Sequence, residues 1–254
     1  MTIRFYELIF DHADNDAEYF GGPNGWKTHL CLLHKGVAFD IQKVTHLELK
    51  NELTAKRNGI KATSPALGLE DGTILCDAFA IAEYLEQKYP STPSLFTGST
   101  STHPDAVQTG KAYARFMDIS FGSWVYFFEL VVDKIEARVK GDAQNHQYFV
   151  SDERWGPGGF KRLMDGRNPV ALLATAKENV HPLVKLLKER PFFQGEAPGF
   201  ADYVVFGHYA MCRNNNAVLA KQVWEDQGEE IGRWVSAILA RFPSIQRHLK
   251  PRPL

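Results

Sequence analysis

Hydrophobic residues in the first forty-odd positions follow first a strand-like and then a helix-like spacing. The opening segment IRFYELIF is rich in β-forming residues, and Gly21–Asn24 then interrupts the pattern. Trp26, Leu30 and Leu33 recur at helical spacing, Pro23 suits a first helical turn, and the sequence HKG is typical of a helix end. The pattern predicts a strand and then a helix, and VAFDIQKV predicts a second strand.

A hairpin and a second helix are predicted between residues 64 and 90. SPALGLEDGTILCD contains the dipeptide Asp71-Gly72, which favours a type I′ turn between two short strands. DAFAIAEYLEQKYP places its hydrophobic residues on one helical face, begins at the capping residue Asp77 and is ended by Pro90. The first ninety residues therefore predict the order βαβ followed by ββα.

The pattern changes after residue 90. The segment PSTPSLFTGSTSTHPD has the composition of a linker. Beyond it no segment alternates like a strand, and the hydrophobic spacing predicts helices, with a weak point at Gly122 in the first. We therefore predict an α/β domain at residues 1–90, a linker at 91–104 and an all-helical domain at 105–254.

Local signals locate several elements of the helical part. Residues 151–167, SDERWGPGGFKRLMDGR, predict a loop because of their glycine and proline content. Asn168 and Pro169 predict the cap and first position of the next helix, and Pro182 predicts a kink or break within it. Two further helices are predicted near the C-terminus, at 201–213 and 229–241.

Composition and charge narrow the classes of partner. The 254 residues are 44% hydrophobic, and 29 basic and 30 acidic residues give a net charge of −1. This balance provides no field to hold nucleic acid or an acidic membrane surface. No apolar run approaches the ~20 residues of a membrane span, and MTIRFYELIF lacks the features of a signal peptide. We expect a cytoplasmic protein that binds neither nucleic acid nor membrane.

Cysteines and histidines give no sign of a metal site. Cys31, Cys76 and Cys212 lie far apart without ligand spacing, and the nine histidines form no ligand pattern. Cys31 and Cys76 lie in apolar runs, which favours packing over redox or catalytic work. The sequence therefore predicts neither a metal site nor a disulfide framework.

The stretch GGPNGW at the predicted start of the first helix offers amides but no side chain that ionises near neutral pH. A helix N-terminus has unpaired N–H groups and about half a positive charge, so it stabilises an anion. The side-chain amide of Asn24 and the backbone N–H groups of Gly25 and Trp26 are candidates to hold the thiolate of a bound thiol. A helix cap without further function is the alternative interpretation.

Two later positions extend this hypothesis to a peptide-like thiol. Proline at Ser64-Pro65 is usually trans, whereas a cis bond would turn the Ser64 backbone toward an extended ligand. Asp77 is either a simple N-cap or a ligand for an ammonium group, with the N–H groups of Ala78 and Phe79 receiving a carboxylate.

Several of these segments resemble one family. The first ninety residues resemble the thioredoxin-like half of cytosolic glutathione S-transferases, and DAFAIAEYLEQKYP is similar to their DSxAIxxYLxxxYP segment. FFQGEAPGFADYVVF resembles a helix start in their second half, with Asp202 in the place of the capping acid. GPNGWKTHLCLLHKG resembles the SPNTWKTRYALNYKG segment of fungal etherase-like transferases and bacterial β-etherases, and ERWGPGGFKRLMDGR matches their extra loop.

The resemblance implies an α/β thioredoxin-like N-terminal domain, an all-α C-terminal domain and a homodimer. It implies that Asn24 lies near the sulfur of glutathione, that Pro65 is cis, that Ser64 pairs with the cysteinyl backbone and that Asp77 helps hold the γ-glutamyl end. The implied reaction is attack of the glutathione thiolate on a hydrophobic, aromatic electrophile, with aryl-ether cleavage as the subgroup's example. FMDISFGSWVYFFELVV would either line the pocket for that electrophile or form a buried helix face.

Two positions depart from the family pattern. Gly22 stands where the subgroup has a serine that donates to the sulfur, and Ala78 stands where a serine receives the γ-glutamyl carboxylate. Each missing hydrogen bond to a charged group costs about 1.5–3 kcal/mol. A non-catalytic relative that carries hydrophobic ligands is therefore the alternative function. Lys43 and Lys61 are either ligands for the glycine carboxylate of glutathione or solvated surface lysines.

Overall fold

Four short strands near the N-terminus form one mixed sheet. The computed structural model describes residues 2–98, 103–123 and 125–251. The strands are β1 (Ile3–Leu8), β2 (Phe39–Val44), β3 (Ala66–Gly68) and β4 (Ile74–Cys76). They lie in the order β2-β1-β3-β4, with β2 parallel to β1 and the pairs β1–β3 and β3–β4 antiparallel. The four strands follow one another along the chain as predicted, and the sheet confirms the thioredoxin-like expectation.

Helices α1 (Pro23–His34) and α4 (Ala78–Lys88) pack against the sheet, and both were predicted. Pro23 occupies the first position of α1, where its missing N–H costs nothing. Gly36, just beyond the end of α1, takes a left-handed φ of +62°, a conformation that glycine adopts without strain. Pro90 follows the end of α4. Local start and stop signals in the sequence therefore set the ends of both helices.

A helical segment links β2 to β3, where we expected only a polar connection. It consists of α2 (His46–Glu48), a π-helical turn (Leu49–Leu53) and α3 (Thr54–Lys56). A capping box fixes its start: the Glu48 N–H donates to Thr45 Oγ1 at 3.3 Å, and the Thr45 N–H donates to Glu48 Oε2 at 2.6 Å. The sequence THLE contains this capping-box pattern, which is a local signal for the start of the segment.

The turn between β3 and β4 differs from the prediction. A type I′ turn would need positive φ at both Asp71 and Gly72, but only Gly72 within this turn takes one, at +87°. The Leu69 N–H instead donates to the Thr73 carbonyl at 2.8 Å, which closes a three-residue loop. The Asp71 carboxylate accepts from the Thr73 N–H at 2.9 Å. The type I′ prediction was wrong because this Asp71 contact stabilises a longer loop.

The remainder of the described chain is helical apart from an isolated bridge between Phe192 and Gly195. Its helices are α5 (Pro104–Ser123), α6 (Tyr126–Glu129), α7 (Val132–Val139), α8 (Ala143–Phe149), α9 (Asp152–Trp155), α10 (Gly159–Gly166), α11 (Pro169–Glu189), α12 (Phe200–Asn215), α13 (Ala217–Val223) and α14 (Glu229–Arg241), with short 3₁₀ turns at Glu225–Gln227 and Pro243–His248. The chain leaves helix α5 just after Gly122, as predicted. Residues 99–102 of the predicted linker lie outside the described residues.

Three predictions for the helical part were incomplete or wrong. Residues 151–167 form α9 and α10 rather than a loop, because Ser151 Oγ accepts from the Arg154 N–H at 3.3 Å and caps α9. Helix α11 runs through Pro182 without a break. A proline removes one intrahelical hydrogen bond, and the buried side chains of α11 after Pro182 hold the helix in place. Helix α13 was not predicted, although Asn216 caps it through a 3.1 Å bond to the Leu219 N–H.

Helix α12 joins the two parts of the chain, because α1 packs along it. A Cβ at Gly207 of α12 would lie 2.2 Å from the Pro23 carbonyl oxygen, so the two backbones approach each other closely here. Asn214 and Asn215, at the end of α12, donate to the carbonyls of Phe20 and Gly21 at 2.8 Å and 3.0 Å. These contacts fix the chain that enters α1.

Among the described residues, none of the helices has both the length and the apolar character needed to cross a bilayer.

Gly207→Ala is expected to lower the free energy of unfolding by about 1–3 kcal/mol, because its methyl group would meet the Pro23 backbone and force α1 and α12 apart. Gly232→Ala is the matched control, since a Cβ at that α14 position meets nothing within 4 Å. Removing a helical glycine there should stabilise by up to about 1 kcal/mol. Urea unfolding measures both; equal effects would contradict the close approach.

Candidate functional site

The N-terminus of α1 opens with Gly22 as its N-cap, in an extended conformation with φ −100° and ψ 160°. The amides of Gly22, Asn24 and Gly25 precede the first intrahelical hydrogen bond, and Pro23 has none to offer. The predicted backbone donors Gly25 and Trp26 follow Asn24 in this first turn, and their role toward a bound thiolate stays a prediction.

The Trp26 indole is part of the hydrophobic core. It is fully buried, with its ring centroid 5.2 Å from that of Phe20 and 5.4 Å from that of Phe206. Trp26 therefore anchors the first turn of α1 to the core and to α12.

Two adjoining cavities meet at this helix end. The first, here called the aromatic cavity, has a volume of about 400 Å³ and is lined by Leu8, Asn24, His46, Leu49, Lys50, Lys61, Ala62, Thr63, Ser64, Tyr148, Arg154 and Trp155. The second, here called the aspartate cavity, has a volume of about 310 Å³ and is lined by Asn24, Lys27, Thr63, Ser64, Pro65, Asp77, Ala78, Asp118 and Gly122. Asn24, Thr63 and Ser64 belong to both.

The structure thus brings Asn24 together with four predicted positions: Ser64, Pro65, Asp77 and Ala78. Gly22, Gly25 and Trp26 lie beside Asn24 in the same turn and are not among the residues that line the two cavities.

The peptide bond between Ser64 and Pro65 is cis, as the resemblance implied. Pro65 is buried and Ser64 half-buried at the edge of both cavities, directly before β3. The Ser64 backbone is therefore available at the junction where an extended ligand would pass.

Asp77 caps α4 and lines the aspartate cavity at the same time. Its Oδ1 accepts from the N–H groups of Phe79 at 3.0 Å and Ala80 at 2.9 Å. Its φ of +80° is unusual for a residue other than glycine and costs about 1–3 kcal/mol. The Phe79 amide is already bonded, so the prediction that it receives a carboxylate was wrong, and the Ala78 amide is the remaining candidate.

An ion pair that we did not predict lies in the aspartate cavity. Lys27 Nζ lies 2.7 Å from Asp118 Oδ1, and the two side chains are 4% and 12% exposed. Arg115 adds a second contact to Asp118 at 3.1 Å. Lys27 follows Asn24 by three positions, so helical spacing alone places both on one face of α1. Its acidic partner lies far along the chain and leaves no local signal.

Part of the wall of the aromatic cavity comes from residues 151–167, the segment that was predicted to be a loop. Tyr148, Arg154 and Trp155 come from α8 and α9, and Lys50 Nζ pairs with Glu153 Oε2 at 2.6 Å. Burial, together with the nearby charge of Arg154, lowers the pKa of His46 well below its usual value, so its imidazole is neutral. The predicted aromatic segment contributes less: Met117, Phe121 and Phe127 are buried in the core, and Trp124 lies outside the described residues.

A buried carboxyl group lies directly beneath the start of α1. Glu7 is fully buried on β1, and neither of its oxygens has a hydrogen-bond partner among the described residues. A Cβ at Gly25 would lie 2.0 Å from Glu7 Oε2, which explains the glycine at that helix position. Burial raises the pKa of Glu7 well above its usual value of 4.5. Glu7 shares a strand face with the buried residues Ile3 and Phe5. An acidic residue at such a core-facing strand position is the sequence signal for this site, and it was not predicted.

The cysteines lie away from the lining of both cavities. Cys31 and Cys212 are buried and Cys76 is half-buried. Burial raises the pKa of the Cys31 thiol, and that of Cys212 to about 12. Both thiols are therefore protonated at neutral pH. Within the described part of the chain, no three His, Cys, Asp or Glu side chains are grouped as a metal site.

Comparison with known proteins connects this site with a family. Residues 21–88 match the family model of the glutathione S-transferase N-terminal domain. The rice protein "Probable glutathione S-transferase GSTU1" (Oryza sativa subsp. indica) is 22% identical over 245 residues, which cover 93% of this chain and 88% of the relative.

Two solved structures have the same fold. The glutathione S-transferase CsGST83044 of Ceriporiopsis subvermispora, in complex with glutathione, is 20% identical with a TM-score of 0.67, and the match covers 95% of this chain and 98% of that one. The β-etherase LigF of Sphingobium sp. strain SYK-6 is 18% identical with a TM-score of 0.68, covering 97% and 98%. Both show that the chain combines a thioredoxin-like part and a helical part in this architecture.

Glu7→Gln tests whether the buried carboxyl is protonated in the folded protein. Because the folded-state pKa lies above 4.5, the unfolded chain loses this proton at a lower pH than the folded chain does. Above about pH 4.5 the native protein therefore loses stability relative to the variant, by up to ~1.4 kcal/mol per pH unit until the folded pKa is reached. Urea unfolding between about pH 5 and 8 should show the variant's advantage growing with pH. A constant difference would contradict a raised pKa, and the exposed Glu52→Gln is the control.

Proposed function

We propose that the protein is a glutathione transferase, because residues 21–88 match the glutathione S-transferase N-terminal domain model and the chain has the fold of solved glutathione S-transferases. Glutathione occupies the two adjoining cavities, and its thiolate attacks an electrophilic carbon of a hydrophobic, aromatic small molecule. In this proposal residues 1–90 bind glutathione, residues 91–104 link the two parts, and residues 105–254 supply the pocket for the second substrate.

One observation carries this proposal: Asn24 lies at the junction of two cavities, one of which ends at Asp77 and Ala78. A tripeptide needs an elongated site with a polar group for each end and a donor near its middle. The two cavities offer that order, with Ser64 at the junction to pair with the cysteinyl backbone.

The γ-glutamyl end of glutathione carries a carboxylate and an ammonium group, and the aspartate cavity offers groups for both. Asp77 Oδ2 is placed for the ammonium, because the capping bonds use Oδ1. Lys27 and the Ala78 N–H are placed for the carboxylate, with Lys27 compensating for the serine hydroxyl that Ala78 lacks. The Lys27 ammonium has three N–H donors, so it can donate to a second carboxylate besides that of Asp118.

The thiolate is stabilised without an acid or base from the protein. The Asn24 side-chain amide and the first amides of α1 face an anion at the positive end of the helix. The thiol proton leaves to solvent when the thiolate forms. The sulfur then forms a bond to the electrophilic carbon, and the leaving group departs with the electron pair of the bond that breaks.

Aryl-ether cleavage is the specific reaction we favour, with an aryloxide as leaving group. The structural likeness to LigF, which is named a β-etherase, supports this choice, as does the segment 151–167, which forms part of the aromatic cavity here. By the same family analogy we propose a homodimer in the cytoplasm.

A ligand carrier is the second candidate function. Gly22 and Ala78 lack the hydroxyl groups expected at both ends of the bound cysteinyl-γ-glutamyl unit, and the Phe79 amide is occupied by Asp77. A carrier would bind hydrophobic ligands in the aromatic cavity with little affinity for glutathione.

Calorimetric titration with glutathione, together with a 1-chloro-2,4-dinitrobenzene conjugation assay, separates the two functions. We expect micromolar binding and turnover. Asn24→Ala should lower kcat/KM by roughly 10- to 100-fold, because one hydrogen bond to the sulfur is lost. Binding absent at millimolar glutathione, with no turnover, would reject the transferase and favour the carrier.

Gly22→Ser should tighten glutathione binding by about tenfold by restoring a hydroxyl donor near the sulfur. A Cβ at Gly22 meets nothing within 4 Å, and its backbone conformation suits any residue, so the serine fits without strain. Gly22→Ala adds the Cβ without the hydroxyl and should leave affinity unchanged. Equal affinities of the two variants in calorimetry would place the sulfur elsewhere.

A further inference from the structure

Arg154 presents a guanidinium group to the aromatic cavity from the short helix α9. The guanidinium carbon lies 5.1 Å from the ring centroid of Phe149, 5.4 Å from that of Trp155 and 6.0 Å from that of Tyr148. The Ser151 cap fixes the backbone at this point. The cation is therefore held in place by aromatic faces.

No carboxylate of the described residues lies within 4.0 Å of this guanidinium. The neighbouring acid, Glu153, is paired with Lys50 instead. Burial lowers the pKa of Arg154, although a guanidinium remains charged at neutral pH. A half-buried cation without a carboxylate partner favours a bound anion, because pairing offsets its partial desolvation.

Charge in the rest of the cavity points to the same class of ligand. Of the described residues that line it, Lys50, Lys61 and Arg154 are cationic, and none is acidic. His46 is neutral for the reasons given above. Glu153 neutralises Lys50, so Arg154 and the exposed Lys61 remain for anions.

Shape and aromatic character separate the roles of these two cations. Arg154 lies among ring faces on the helical side of the cavity, with Tyr148 as a polar neighbour. Lys61 lies on the other side, three residues before Ser64, where the tripeptide backbone would pass. Trp155 therefore offers a ring face for a planar aryl group, and Lys61 is the candidate for the glycine carboxylate of glutathione.

We propose that Arg154 binds a carboxylate carried by the second substrate, so that the protein prefers acidic aromatic electrophiles over neutral ones. This proposal rests on the proposed transferase function. The guanidinium offers two parallel N–H donors to both carboxylate oxygens, and the aromatic ring of the substrate stacks on Trp155.

Paired electrophiles test the proposal: 4-chloro-3,5-dinitrobenzoate carries the carboxylate, and 1-chloro-2,4-dinitrobenzene does not. Arg154→Gln should raise KM for the benzoate by roughly 10- to 100-fold and change KM for the neutral compound less than about twofold. Arg154→Lys should recover part of the loss, because it keeps the charge without the planar fork. Arg162→Gln, an exposed arginine of the same segment outside the cavity, is the matched control.

Equal changes for both electrophiles, or no change for either, would overturn the proposal while leaving the transferase function intact. Weaker binding of glutathione but not of its glycine ethyl ester in Arg154→Gln would also overturn it, because the carboxylate would then belong to the tripeptide.

Calorimetry with the unreactive pair 3,5-dinitrobenzoate and 1,3-dinitrobenzene, without glutathione, gives a readout that does not need turnover. Binding of the benzoate that Arg154→Gln abolishes would support the anion site even if the native protein conjugates nothing. No binding of the benzoate to the native protein, together with turnover that ignores the carboxylate, would overturn the site alone.

Discussion

The close contact between α1 and α12 is the constraint on which the rest of the structure depends. Helix α1 is buried between the sheet and α12, and Gly207 lets the α12 backbone approach the Pro23 carbonyl at the start of α1. Asn214 and Asn215 hold the chain just before that start. A helix end can stabilise an anion only if its amides keep a fixed direction, and a surface helix would fray there. The packing of α1 against α12 therefore fixes the direction of the amides at the N-terminus of α1.

Charges near this helix end are arranged so that the site stays receptive to an anion. Burial disfavours the charged form of the Glu7 carboxyl beneath Gly25 and raises its pKa, which weakens its opposition to a thiolate above it. Asp118, the buried acid of the aspartate cavity, is paired with Lys27 and Arg115. Arg154 adds a cation on the opposite side of Asn24. The resulting field favours a ligand with negative groups at several points along its length.

Sequence patterns predicted the elements that have strong local signals and missed those that depend on distant contacts. Pro23, Asp77 and Asn168 locate helix starts because each acts through its own backbone neighbourhood. The Asp71-Gly72 dipeptide misled, because a side-chain contact overrides its turn preference. Tertiary packing carries α11 through Pro182, so of the predicted kink or break the break does not occur. Local chemistry made Asn24, Ser64 and Asp77 candidates, and the resemblance favoured their functional interpretation. The pairing of Lys27 with Asp118, and the approach of Arg154 to the cavity of Asn24, required the folded chain.

The most direct measurement of the central claim is a pH titration of glutathione bound to the protein, followed by the ultraviolet absorbance of its thiolate. A free cysteine thiol has a pKa of about 8.5, and each unit of lowering corresponds to about 1.4 kcal/mol of thiolate stabilisation. The account predicts a bound pKa at least about one unit lower, since two or more amide donors at the start of α1 face the sulfur. A bound thiol that titrates at the same pH as free glutathione would contradict it.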